Sequence, residues 1–334
     1  MPDSVVPLSR LNELTAVIRR DRFDAAPGDV TSARDLERWR AFRTAYHNAQ
    51  DLGAAPFPLQ LDFELTSQCN LRCAFCIHGY SKIEKRGLTP AQFRRAIEEG
   101  AAHGLCSVKL NYINEPLLTR DLPDYVRYAK AHGVLNVYFA TNGTLLTERV
   151  REELIEARVS KIMVSLDATT PETFLKMRQS PQFERIVANV RALIARRDEL
   201  GLSWPLVRVN FLKSPLNIHE AEDFVKEWTG VADMIGLQDQ VGLPGIETDF
   251  LASGPYVDHS AFRCSFPFKM LVIDSAGHIL PCCTFSGREM PLGHVDELTL
   301  EAAWNGDRMR ALKESHRSGT WTSNPVCVRC VKGT

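Results

Sequence analysis

Between residues 60 and about 240, short apolar runs alternate with helical patterns about six times, and no other feature of the chain narrows its fold so far. The candidate strands are 61–65 (LDFEL), 107–113 (SVKLNYI), 136–141 (NVYFAT), 161–167 (KIMVSLD), 206–212 (LVRVNFL) and 232–238 (ADMIGLQ). Helices are predicted near 89–103, 121–132, 147–157, 171–177, 183–199 and 218–229. Several open on cap signals: Thr89-Pro90, Thr147-Glu148 and Thr170-Pro171-Glu172. Parallel neighbours need a long crossover, so this rhythm predicts an α/β chain with a parallel sheet curled into a partial barrel of six units. Functional groups in such folds gather at the C-terminal ends of the strands.

The flanks differ from this core. Residues 1–55 read as an N-terminal helical extension, with an amphipathic helix near 33–52 whose Leu36, Trp39, Phe42 and Tyr46 share a stripe. Residues 56–245 hold the barrel, and 246–334 form a small Cys-rich C-terminal domain. A Gly/Pro-rich stretch (242–256) reads as a linker, followed by a hairpin (268–274 and 278–283) and a helix around 296–316. With a formal net charge of −1, no bulk field points to nucleic acid or an anionic membrane. No run of 18 apolar residues and no apolar signal-like core appear, so the expectation is a cytoplasmic protein without nucleic-acid or membrane partners.

Nine cysteines in a reducing compartment then call for a reason other than disulfides. Cys69, Cys73 and Cys76 follow the first strand with CxxxCxxC spacing; Cys264, Cys282, Cys283, Cys327 and Cys330 lie in the last quarter; Cys106 stands alone and reads as core. Three thiolates on one loop suit a [4Fe–4S] cluster with one iron left open. Zinc is the alternative, with His78 near enough in sequence to be a fourth ligand. Cys264, Cys282, Cys327 and Cys330 make a four-thiolate cage that suits an iron–sulfur cluster or a structural zinc. Adjacent residues of a hairpin strand face opposite ways, so only one of Cys282 and Cys283 can point into that cage. The other is a small buried hydrophobe or a thiol that donates a hydrogen atom.

The triplet, with Phe75 immediately before its last cysteine, resembles the signature of the radical S-adenosylmethionine (SAM) superfamily. Other segments resemble the family too: Glu115-Pro116 after the second strand, Thr141-Asn142-Gly143 after the third, and Ser165-Leu166-Asp167 at the fourth. Where two glycines are common before Glu-Pro, this chain has Ile113-Asn114. The resemblance implies a SAM site formed with Phe75, Glu115, Asn142, Ser165 and Arg178. In it Glu115 faces the methionine amino group, Ser165 and Arg178 face the carboxylate, and Asp167 lies near the substrate. Asn142-Gly143 is equally a turn dipeptide, and Arg178 equally a solvated helix residue. Asn210 alternates with Arg208, which directs both into the barrel, where unpaired polar groups are costly and a ligand role is favoured.

The C-terminal segments, from Gly277 to Cys283, Leu292 to Val295, Ala303 to Asn305 and Pro325 to Cys330, resemble the SPASM/twitch extensions. The cysteine count fits the twitch form with one auxiliary [4Fe–4S] cluster, and the spacing resembles twitch-type aminocyclitol and sugar dehydrogenases. The implied activity is cleavage of SAM to a 5′-deoxyadenosyl radical, which abstracts a hydrogen atom from a small polar metabolite and leads to oxidation or epimerisation. An electron donor such as flavodoxin or ferredoxin is implied as partner. Candidate catalytic residues are Cys283, as hydrogen-atom donor, and Asp239, in a polar Gln238-Asp239-Gln240 loop expected after the sixth strand. A second reading is modification or epimerisation of a ribosomally made peptide, and a third is a zinc-stabilised binding protein without catalysis.

Overall fold

Ten strands carry the frame, in a computed structural model that describes residues 26–49, 55–239 and 262–332 and the backbone of 17–18. In chain order they are β1 Val17–Ile18, β2 Gln60–Phe63, β3 Ser107–Lys109, β4 Asn136–Thr141, β5 Lys161–Ser165, β6 Leu206–Lys213, β7 Met234–Asp239, β8 Met270–Ile273, β9 His278–Leu280 and β10 Gly293–His294. They join in one sheet in the order β1-β7-β6-β5-β4-β3-β2-β8-β9-β10. Neighbours from β2 to β7 are all parallel. β2 and β7 do not meet, so the barrel is partial, as the rhythm predicts.

All six expected barrel strands are present. β3 is shorter than predicted for a local reason: beyond Lys109 the Ala140 N–H is taken by the Asn111 side-chain oxygen (2.7 Å) rather than by a strand carbonyl. The Gln238-Asp239 loop needs correction, because both residues continue β7, opposite Leu212 and Lys213. The Asp239 side chain, Gln240 and the proposed linker at 242–256 lie outside the described residues.

Period-2 alternation divides each strand between two environments. Leu61, Phe63, Val108, Val137, Phe139, Ile162, Val164, Val207 and Val209 are fully buried against the helices. Each such side chain is worth about 2 kcal/mol. The alternate residues (Gln60, Asp62, Ser107, Lys109, Asn136, Tyr138, Lys161, Arg208) face a cavity inside the barrel. The covering helices are α1 Ala33–His47, α2 Ile77–Tyr80, α3 Pro90–Ala102, α4 Leu122–Ala131, α5 Glu148–Glu156, α6 Pro171–Arg178, α7 Phe183–Glu199 and α8 Ala221–Trp228. The expected caps form: Thr89, Thr147 and Thr170 accept from Gln92, Val150 and Thr173 N–H, and Thr89 with Gln92 makes a full capping box.

The extension helix α1 ends five residues earlier than predicted and is not a detached arm. Its buried Trp39 and Phe42 pack on Cys106 and Leu135, just ahead of β3 and β4. Arg38 donates to the Gly133 carbonyl (3.1 Å). It therefore lies across the N-terminal ends of the barrel strands, and Cys106 is core as read from sequence.

Beyond the barrel, β8 pairs parallel with β2 and carries the β8–β9 hairpin. The single helix expected at 296–316 is two, α9 Leu300–Trp304 and α10 Asp307–Ser318, separated where Gly306 starts the second. Helix α11 (Pro325–Lys332) carries the last cysteine pair. An ion pair on buried Glu64 ties this region to the barrel: half-buried Arg288 donates from Nη2 to both oxygens of Glu64 (2.8 and 2.6 Å), and the Ser275 N–H and hydroxyl complete its shell. Burial pushes the Glu64 carboxyl up, against the pull of Arg288. Breaking one side of such a pair strands the other charge, so Arg288→Leu is expected to cost about 3 kcal/mol, read from denaturant unfolding.

Candidate cluster and cofactor site

Past the end of β2 the chain turns tightly. Cys76 N–H donates to the Cys73 carbonyl (3.1 Å) and Gly79 N–H to the Cys76 carbonyl (2.7 Å). A Cβ on Gly79 would stand 2.6 Å from the Cys73 carbonyl oxygen, so only glycine lets α2 fold back on the loop. Cys69, Cys73 and Cys76 lie close enough to perturb one another's ionisation. Desolvation dominates for each and pushes the thiols up, Cys69 to about 11. A partly desolvated trio of this kind ionises when metal supplies positive charge. His78 does not join them: it is a buried residue of α2 itself, with Ile113, Arg72 and Arg288 as its electrostatic neighbours.

Arg178, the last residue of α6, is no solvated helix residue. Its Nη1 donates to Cys73 Sγ (3.7 Å), its guanidinium lies 5.1 Å from the Phe75 ring centroid, and it pairs with buried Asp167. Asp167 is held in a left-handed conformation (φ 62°), and its Oδ1 accepts from Leu212 N–H (2.7 Å). The carboxylate facing Arg178 is thus Asp167's own, which places Asp167 beside the cysteine loop.

The other strand-end residues converge on the same rim. Buried Glu115 accepts from Leu117 N–H (3.0 Å), the Thr141 hydroxyl (2.7 Å) and Asn142 N–H (2.7 Å). It ties the ends of β3 and β4 together, and its Oε2, with one protein donor, keeps capacity for another. Asn142 donates to the Asn70 side chain (2.8 Å), linking the cysteine loop to β4, and its Oδ1 accepts from Thr144 N–H as an Asx turn. Ser165 and Asn210 are register partners across β5 and β6. Among the described residues no protein group bonds the buried Asn210 Oδ1 or Asn114 Nδ2, which leaves each with capacity for a further hydrogen bond. Asn114, in the place where glycine is common, carried no sequence signal of a site role.

The second thiol set also assembles. Cys264, Cys282, Cys327 and Cys330 line one cavity of about 50 Å³, walled by apolar side chains that include Phe262, Phe266 and Leu312. Burial raises all four thiols, Cys282 to about 11 and Cys327 to about 12. Among the described residues no three His, Cys, Asp or Glu side chains close around a single-ion position. Sequence reasoning missed one polar member, His316: its Nδ1 accepts from Cys264 N–H (3.3 Å) and its Nε2 lies 3.6 Å from Cys327 Sγ. Burial holds this ring neutral, down to about 4, so with Nδ1 accepting, Nε2–H donates to the sulfur. Cys283 points elsewhere, into the barrel cavity beside Lys109 and Asp62, and burial pushes its thiol far up.

Family comparison agrees with this geometry. Residues 63–202 match the model described as the radical SAM superfamily, and residues 264–331 match SPASM, an iron–sulfur cluster-binding domain. The chain carries a radical SAM domain and, after it, a SPASM domain. The cofactors of a radical SAM enzyme with this extension are SAM and [4Fe–4S] clusters. A probable GTP 3′,8-cyclase of Methanocaldococcus jannaschii is 28% identical over 167 residues, 50% of this chain and 53% of that protein. An AdoMet-dependent heme synthase of Methanosarcina barkeri is 36% identical over 138 residues, 41% of this chain and 39% of that one. The chain thus spans about half or less of the length of these curated relatives. Among solved structures, BtrN in complex with AdoMet and 2-DOIA matches with TM-score 0.56 and 18% identity over 83% of this chain and 94% of that one. Streptococcus suis SuiB bound to S-adenosylmethionine matches with TM-score 0.56 and 17% identity over 85% and 74%. These two likenesses show the fold. No described helix is long and apolar enough to cross a membrane.

The residues present suit both cofactors. Three partly desolvated thiols beside an arginine offer sulfur donors and a compensating cation, and four thiols in an apolar cavity offer a complete cage.

Proposed function

We propose that this chain is a radical SAM enzyme of oxidoreductase type that abstracts a hydrogen atom from a small polar, sugar- or aminocyclitol-like metabolite in the cytoplasm. Oxidation or epimerisation within a biosynthetic pathway would follow, with flavodoxin or ferredoxin as electron donor. Cys69, Cys73 and Cys76 would hold the SAM-binding cluster, with Phe75, Glu115, Asn142, Ser165, Arg178 and Asn210 around SAM. Cys264, Cys282, Cys327 and Cys330 would hold the auxiliary cluster. When bound and reduced, the first cluster supplies the electron that cleaves SAM to methionine and the 5′-deoxyadenosyl radical.

One observation carries the reading: neighbouring cysteines open into different spaces, Cys282 into the four-thiol cavity and Cys283 into the barrel. Protonated, Cys283 can return a hydrogen atom to a substrate radical, whereas a thiolate cannot. Phe266 borders both spaces, so a substrate in the barrel lies beside the auxiliary site. Helix α1 covers the strand starts, which favours a small substrate over a long chain. SuiB has also been solved with its precursor peptide, and a peptide is the competing reading. The test adds low-molecular-mass and peptide fractions of a cell extract to the reconstituted enzyme. The small-molecule fraction should raise 5′-deoxyadenosine formation above the uncoupled rate; stimulation by the peptide fraction alone would replace this reading with the peptide one.

His316 extends the reading. Hydrogen bonds to cluster sulfur stabilise the reduced state. His316→Leu is therefore expected to lower the midpoint potential of the auxiliary cluster at unchanged iron content, measured by redox titration followed by electron paramagnetic resonance.

A further inference from the structure

The barrel cavity, about 200 Å³, has a charge pattern that the hydrogen-abstraction chemistry does not use. In register across four strands, Asp62, Lys109, Tyr138 and Lys161 form one inward row. Asp62 lies 3.8 Å from Lys109, a pairing that accounts for one cation. Lys161 has no such partner: its ammonium lies 4.4 Å from the Tyr138 ring centroid, and no carboxylate among the described residues is within salt-bridge reach. Burial, together with Arg208, Arg43 and Lys109, pulls it down to about 7. Arg208 reaches the same cavity from β6, and the chain makes room for it. Gly236, on neighbouring β7, carries no Cβ; one there would fall 2.1 Å from Arg208 Nη2. Arg43, from α1, faces the cavity from below.

A half-buried cation that lines a cavity with no carboxylate beside it among the described residues is retained where an anionic ligand supplies the missing charge. We infer that the barrel cavity binds an anionic group of the substrate, a phosphate or carboxylate on a small molecule, between Lys161 and Arg208. The inference rests on the reading that the substrate lies in the barrel. It narrows the substrate class from sugar- or aminocyclitol-like to an acidic or phosphorylated sugar-like compound, because an amine would meet cations on two walls. Cys283 shares the cavity, so the anion anchors the substrate next to the thiol.

The test is calorimetric titration of the reconstituted, SAM-bound enzyme with pyrophosphate and, separately, with citrate. One of the two should bind, and its identity distinguishes the phosphate from the carboxylate source. Lys161→Met and Arg208→Met should each weaken that binding by roughly tenfold or more, with Lys161→Arg retaining most of it. Should Lys161→Met fail to fold, the wild-type enzyme answers the same question: the bound anion should protect Lys161 from acetylation by an N-hydroxysuccinimide ester, read by peptide mass. Binding of neither anion, or binding indifferent to both substitutions with no protection, overturns the inference. Uncoupled SAM cleavage is measured in the same preparation, so that result leaves the radical chemistry standing on its own.

Discussion

Cys73→Ala is expected to abolish 5′-deoxyadenosine formation and to leave about four of about eight irons per chain. Cys73 is the most buried of the three thiols and the one that Arg178 contacts, so alanine removes a sulfur donor and strands the arginine's hydrogen bond. The remaining Cys69 and Cys76 cannot complete a three-thiolate site. The auxiliary thiols belong to a different part of the chain, just after β9, on α11 and in the segment before β8, and should keep their iron. Iron assay and chromatographic detection of 5′-deoxyadenosine read the two halves of the outcome separately.

Cys282→Ala and Cys283→Ala should part company although the residues are adjacent. The first removes a thiol from the apolar cavity, so iron should fall to about four per chain with SAM cleavage retained. The second leaves that cavity intact, so iron should stay at about eight. If the reaction is an epimerisation with Cys283 as donor, Cys283→Ala stops product inversion while 5′-deoxyadenosine still forms. Unchanged turnover would dismiss the thiol and leave oxidation, with the auxiliary cluster as electron acceptor. Loss of iron from Cys283→Ala but not from Cys282→Ala would reverse the assignment of the two cysteines.

Much of the frame is legible in the sequence because its signals are local. Thr-Pro caps, β-branched runs and CxxxCxxC spacing each act within a few residues, and the strands, helices and thiol groups appear where those signals stand. The features that sequence does not reveal depend on distant partners. His316 lies on α10, 52 residues from Cys264 and one short 3-10 turn away from the helix of Cys327, and nothing about a histidine on an amphipathic helix announces either contact. Arg178 reads equally as a SAM-site residue and a solvated helix residue until α6 packs over the cysteine loop. The choice between Cys282 and Cys283 follows from how the chain turns after β9, which ends at Leu280. One further signal does stand in the sequence: Gln60/Asp62, Ser107/Lys109 and Asn136/Tyr138 are polar at alternate positions of otherwise apolar strands. That alternation by itself marks a polar barrel interior. The packing of α1 under the barrel, by contrast, follows only from the fold, since its apolar stripe names no partner.

Two separate thiol sets serving SAM chemistry are the centre of this account. Anaerobic reconstitution of the wild-type chain with iron and sulfide, followed by metal analysis and a SAM-cleavage assay under reductant, tests that claim most directly. The expected result is about eight irons per chain, broad brown absorbance and 5′-deoxyadenosine formed from SAM. Two tightly held zinc ions and no 5′-deoxyadenosine would contradict it.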